Sequence, residues 1–372
     1  MMPKAAWLSI FMLTVAVGMI AIPARGDTVE RRGMAPALQG RVLTTDDAGV
    51  RIETESGATL FVPWDRVRDV KLDKPDPLLS EYLRRAADIW RARTRLERND
   101  LELAEPLFER LFEHYRGQTH ETALVVAEGL LRCRLARGAN DLAVIPALEV
   151  TRLYRAGIST TSYATLPPVF DASSSLCPAL APVWVTATPL VRIERELAAY
   201  ESLADATVAS LASLYRRAMR QQLGMAVEPE RAVQAADHGG VMLLRAIVET
   251  TSPDAQQRAA ARNRLEHDLP KLPPWAQAWA HYFIGVSLLE EPSEQSQQRG
   301  MVSLVHLPAR FSSEQPFLVG LALARLSSAF EAAGDSEAAS KLRAELQRLY
   351  PHHAVLVQAG NRVSSHAIKG NP

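Results

Sequence analysis

The sequence predicts a mainly α chain, a string of helical hairpins preceded by a small antiparallel β meander. Three observations carry that expectation. From Gln39 to Leu72 apolar residues alternate with polar ones, the period of a half-buried strand. After Pro77 the apolar spacing changes to 3.6 and stays there. One helical unit also recurs far apart in the chain. Counting from Asp100, the residues Ala104, Leu107, Leu111 and Tyr115 stand at +4, +7, +11 and +15; counting from Asp335, Ala339, Leu342, Leu346 and Tyr350 stand at the same offsets.

The chain opens with Lys4, an apolar run from Ala5 to Ile22 interrupted only by Ser9 and Thr14, and then Pro23-Ala24-Arg25-Gly26. That is the layout of a secretory signal peptide. Ala24 and Gly26 sit two apart, as a signal peptidase site requires, so residues 1–26 are expected to be removed and the protein exported to the periplasm or another extracytoplasmic space. The alternative is an uncleaved anchor of residues 5–22 in the inner membrane, because 18 residues nearly cross a hydrocarbon core of about 30 Å. Residues 27–38 show no period and are expected to be a flexible N-terminal segment.

The whole chain carries 42 basic and 42 acidic residues. Removing Lys4 and Arg25 leaves 40 against 42, a formal balance of −2, which argues against a nucleic-acid partner and leaves a membrane partner only if the N-terminal segment stays uncleaved. Cys133 and Cys177 are the only cysteines. In an oxidising compartment they can pair or remain two buried thiols, and with two cysteines the spacing does not decide.

In the stretch QGRVLTTDDAGVRIETESGATLFVPWDRVRDVKL, Val42, Val50, Ile52, Leu60, Val62, Val67 and Val70 fall in short runs. The turn signals Asp46-Asp47-Ala48-Gly49 and Glu55-Ser56-Gly57 separate them. Residues 39–73 are therefore read as a small antiparallel β module of three or four strands. Gly40, Val42, Gly49-Val50-Arg51-Ile52, Gly57 and Val62-Pro63-Trp64-Asp65-Arg66-Val67 resemble the pattern of SH3-like or Sm-like sheets. So small a sheet buries little alone, and Trp64 is expected to pack it onto helices.

Asp76 and Pro77 suit the cap and first turn of a helix carrying Leu79, Leu83, Ala86, Trp90 and Thr94. A third, shorter copy of the recurrent unit runs from Asn140-Asp141-Leu142 to Tyr154-Arg155. Helices are expected before each copy, joined through a Gly or Asn next to Asp, as at Gly334-Asp335. Ala322, Leu326, Phe330, Gly334, Asp335 and Ala339 resemble the tetratricopeptide repeat family, and Trp275, Trp279, Tyr282 and Gly285 resemble another first helix of that kind. The resemblance implies a right-handed α-α superhelix of TPR-like hairpins over 76–157 and 191–350, followed by a tail at 351–372. Between them, residues 158–190 hold five prolines and a serine run, which exclude a long helix. This segment is read as a loop or as a strap packed by Phe170, Leu176, Val183 and Trp184.

No glycine-rich phosphate loop, zinc-protease helix or nucleophile elbow is present, so no catalytic, cofactor or metal residue is assigned. The functional expectation is a non-catalytic binding or scaffolding protein of the bacterial cell envelope. Its protein or peptide partner is expected on the first helices of the hairpins, within 79–98, 122–137, 275–289 and 318–333. The alternatives are an enzyme or accessory subunit with a site at 158–190, using Asp171 or Cys177, and a self-associating structural protein.

Overall fold

The computed structural model describes residues 26–185, 189–227 and 238–357. The predicted signal peptide lies outside these residues apart from Gly26, as does the tail beyond Val357. Among the described residues no helix is long and apolar enough to cross a membrane.

Five strands form one antiparallel sheet: β1 (Asp27–Arg31), β2 (Leu38–Thr45), β3 (Gly49–Thr54), β4 (Thr59–Pro63) and β5 (Val67–Lys71), in the order β4-β3-β2-β1-β5. β1 corrects the expectation of a flexible segment at 27–38. It buries one side chain, Val29, too little alternation to register as a period, and it is held by pairing on both sides, to β2 and to β5. The Asp27 carboxylate adds anchors, accepting from the Val42 amide at 2.7 Å and the Asp73 amide at 2.8 Å. Two glycines of the sequence pattern have a steric reason. A Cβ at Gly40 would lie 2.0 Å from the Glu53 carbonyl oxygen, and one at Gly49 would lie 2.4 Å from that of Val62.

The inner face of the sheet is Val29, Val50, Ile52, Val62, Val67 and Val70. Trp64 closes it. Its indole is fully buried, donates to the Asp46 carbonyl at 2.7 Å and stacks on Tyr82 of the first helix with ring centroids 5.3 Å apart. The sheet and the helices thus share one apolar core.

The helices follow as α1 (Leu79–Glu97), α2 (Leu101–Tyr115), α3 (Glu121–Ala136), α4 (Asn140–Arg155), α5 (Leu190–Tyr200), α6 (Ala206–Gln222), α7 (Gly239–Glu249), α8 (Ala255–Asp268), α9 (Pro274–Leu289), α10 (Glu294–Arg310), α11 (Pro316–Ala332) and α12 (Ser336–Leu349). Each packs on its successor, and α1 also meets α3, α4 meets α6, α7 meets α9 and α9 meets α11. The fold is mainly α with the sheet at its N-terminal end.

A common turn ends several of these helices. Asn99, Gly138, Gly157, Gly224 and Gly334 all have positive φ. In each case the next amide bonds the carbonyl five residues back: Asp100 to Arg95, Ala139 to Arg134, Ile158 to Leu153, Met225 to Arg220, Asp335 to Phe330. This is the Schellman arrangement, which satisfies helix-end carbonyls and asks for Gly or Asn at the left-handed position.

Candidate functional site

The +4 alanines of the recurrent unit, Ala104 and Ala339, are both fully buried. Ala339 lies where α12 crosses α11, and its carbonyl accepts from the Ser327 hydroxyl at 2.9 Å. Leu107, Leu111 and Tyr115 are buried on α2, and Leu346 on α12, while Leu342 and Tyr350 are half-covered. Asp335 caps α12 by accepting from the Ala338 amide at 2.9 Å, whereas Asp100 stands at the cap position of α2 without such a bond. These residues build hairpins and form no chemical cluster.

The segment that fills the middle of the molecule is the one the sequence left open. Residues 158–185 run as an irregular strap whose Leu176, Cys177, Leu180, Ala181 and Trp184 are buried. Six side chains from five different elements or caps grip its backbone. The Pro178 carbonyl accepts from Trp279 Nε1 of α9 and from Gln315 Nε2 at the cap of α11, both at 3.0 Å. The Leu180 carbonyl accepts from the Tyr215 hydroxyl of α6 at 3.0 Å, and that of Trp184 from Gln222 Nε2 at 2.9 Å. The Ser175 carbonyl accepts from Thr151 of α4, and the Pro167 carbonyl from Arg132 of α3 at 2.8 Å. In return the Tyr163 hydroxyl of the strap donates to the Val125 carbonyl of α3 at 2.8 Å, and Phe170 stacks on Tyr154 with centroids 4.6 Å apart. At Gly240 of α7 a Cβ would sit 1.8 Å from the Ser174 carbonyl oxygen, so the strap lies on bare helix backbone there.

The strap lies on part of the helices expected to line the partner surface. α3 and α9 are buried on nearly all sides, and the strap touches α3, α9 and the start of α11. Of the helices named for partner capture, these are taken by the chain itself. The physical reason is that the strap is apolar and proline-rich: it buries its own side chains while its carbonyls need donors, which Trp, Tyr, Gln and Thr of the helices supply.

Asp171 and Cys177, the groups weighed for catalysis, lie in the strap without reactive partners. Burial works against the Asp171 charge, but hydrogen bonds from Ser174 and Ser173 outweigh it and hold the carboxyl below the usual range. Burial pushes the Cys177 thiol up to about 12, and the Cys133 thiol likewise to about 12. Neither is a thiolate at neutral pH. The two are separate buried thiols, so the disulfide weighed from the sequence is not formed.

Two polar groups escaped the sequence reading. Asp65 is fully buried where the sheet, α1 and the strap meet, bonded to Ser162 and, at 3.1 Å, to Arg93. Burial raises its pKa. His281 of α9 is buried against His306 of α10 with ring centroids 4.3 Å apart, and burial, then His306 and Arg310, push it down to about 4. Among the described residues no group of three or more His, Cys, Asp or Glu is arranged to hold a metal ion.

α10 leaves apolar side chains in the open. Of its residues only Gly300, Leu304 and Leu307 are buried, and Val302 and Val305 stand 64% and 46% exposed. Clefts flank it on either side. One, of about 450 Å³, is lined by Ile284, Leu288, His281 and His306; the other, of about 510 Å³, by Met301, Val305, Ala309 and Phe330. No protein-family model matches the chain, and comparison with curated proteins and with solved structures finds no match.

Proposed function

We propose that this is a non-catalytic binding or scaffolding protein of the bacterial cell envelope, exported with its leader removed after Gly26. On this reading its hairpins wind as a TPR-like right-handed superhelix, and the inner face is occupied by the strap. The partner is then an amphipathic helix of an envelope protein, seated on the outward face of α10. The observation that carries the reading is the straight stripe Gln298, Val302, Val305 and Ala309, spaced as helix-in-groove anchors are, with an apolar cleft on each side. Cleavage after Gly26 fits the sheet, since β1 begins at Asp27 and needs nothing before it to pair.

A photoreactive residue placed at Val302 tests this in the native host. A discrete protein adduct is expected from position 302, none from the exposed Leu43 of the sheet, and loss of that adduct when Val305 is replaced by Glu. No adduct from a folded protein, or equal adducts from both positions, overturns the α10 assignment.

A further inference from the structure

The connection between β1 and β2 is made for a different contact. Gly33, Met34, Ala35, Pro36 and Ala37 are all exposed, five uncharged residues in succession, and Met34 is 104% exposed. Exposed apolar runs of this length are unfavourable unless they serve a purpose. The run is held out as a defined tip. Arg31 Nε donates to the Pro36 carbonyl at 2.9 Å, and the Arg32 amide donates to the Arg66 carbonyl at 2.8 Å.

Cations surround the tip. The Arg32 guanidinium lies 4.6 Å over the ring of Trp90, which is itself 36% exposed. Arg68, Arg91 and Arg93 are near enough to act electrostatically on Arg32. Asp88 offsets Arg91 at 2.9 Å and Asp65 offsets Arg93. Glu30, the other acid on β1, is taken by Lys71 at 2.7 Å. Among the described residues Arg31, Arg32 and Arg68 have no carboxylate within ion-pair distance. The corner therefore joins an apolar tip, an amphipathic indole and unbalanced arginines.

We propose that this corner docks on a bilayer of anionic phospholipid, with Met34 and Pro36 entering the interface, Trp90 at headgroup level and the arginines on lipid phosphates. Each part matches what interfacial docking requires: a shallow apolar insertion, an aromatic at the boundary and positive charge toward an anionic surface. A convex, fully exposed tip suits a fluid surface, whereas a protein partner requires area to pack against. The inference does not depend on the α10 partner.

The test uses the mature chain from Asp27 with Met34→Cys carrying an environment-sensitive dye; the native cysteines are buried and do not compete for label. Vesicles of phosphatidylcholine alone are compared with vesicles in which about a third is phosphatidylglycerol. A difference between the two kinds reports the corner. The expected result is a blue-shifted, brighter emission with the anionic vesicles only, weakened by added salt. Arg68→Gln with Arg91→Gln should lower that partition about 25-fold, at about five-fold for each charge, and Lys at both positions should restore it. The same emission with both vesicle types, no change with either, or a response untouched by the paired Gln variant overturns the proposal. So does a shift produced by lipid-free envelope proteins and not by vesicles, which would give the tip to a protein partner.

Discussion

α2 and α12 are written in one pattern and stand in different surroundings. α2 lies between α1 and α3 and buries every position of the unit; α12 packs mainly on α11 and buries only Ala339 and Leu346. Its other flank is polar and solvated, with Glu337 and Lys341 paired in the open at 2.6 Å. The comparison separates two layers of causation. The small residue at +4 makes the helix–helix contact wherever the unit occurs, since close approach needs only the neighbour within the same hairpin. Burial at the other positions needs a further hairpin, as expected for units that cannot cover both of their faces alone.

The sharpest way to break this contrast is to hollow out the same position in both units. Leu111→Ala should cost about 2–5 kcal/mol, because α1 and α3 hold the cavity open, while Leu346→Ala at the end of the array should cost distinctly less because α12 can settle onto α11. Paired urea denaturation curves measure both, and equal losses would remove the distinction between interior and end.

Acid sharpens the same contrast. His281 lies inside the array, and its folded pKa of about 4 is below the unfolded value of about 6.5. The unfolded chain therefore binds the proton first, and stability is lost as pH falls from about 6.5 toward 4. Between pH 7 and pH 5 the loss from this one group should be about 1–2 kcal/mol, read as the part of the wild-type change in unfolding free energy that His281→Phe does not show. A variant with the same acid response as the wild type would mean that the His281–His306 stack does not hold in solution.

The smallest effect concerns the caps. Asp335→Ala removes a bond to the Ala338 amide and should cost about 1 kcal/mol. Asp100→Ala removes no such bond and should cost only a few tenths of a kcal/mol. Amide exchange in the first turns of the two helices would show whether the gap is real.

How much was legible follows the range of the forces involved. The hairpin turns could be read, because a left-handed helix end admits Gly or Asn with little cost, and Asn99, Gly138 and Gly334 declare it. The strands β2 to β5 could be read, because they are half-buried and alternate and their turns carry glycine, although β5 leaves the β2-β3-β4 meander to pair with β1. β1 could not. One buried valine makes no period, and its partner β5 lies some forty residues on. Nor could the exposed stripe of α10, whose valines look in sequence like those of any core-facing helix.

The sequence by itself determined the local units: where strands and helices form, how each hairpin turns, and that successive hairpins must stack to cover their apolar faces. Only the tertiary structure decided what the strap lies against. The strap is gripped through the carbonyls of Pro167, Ser175, Pro178, Leu180 and Trp184, and every residue carries a carbonyl. A bond that any residue can accept leaves no mark in the order of side chains, so the seating of the strap against α3, α4, α6 and α9 appears only once the chain is folded.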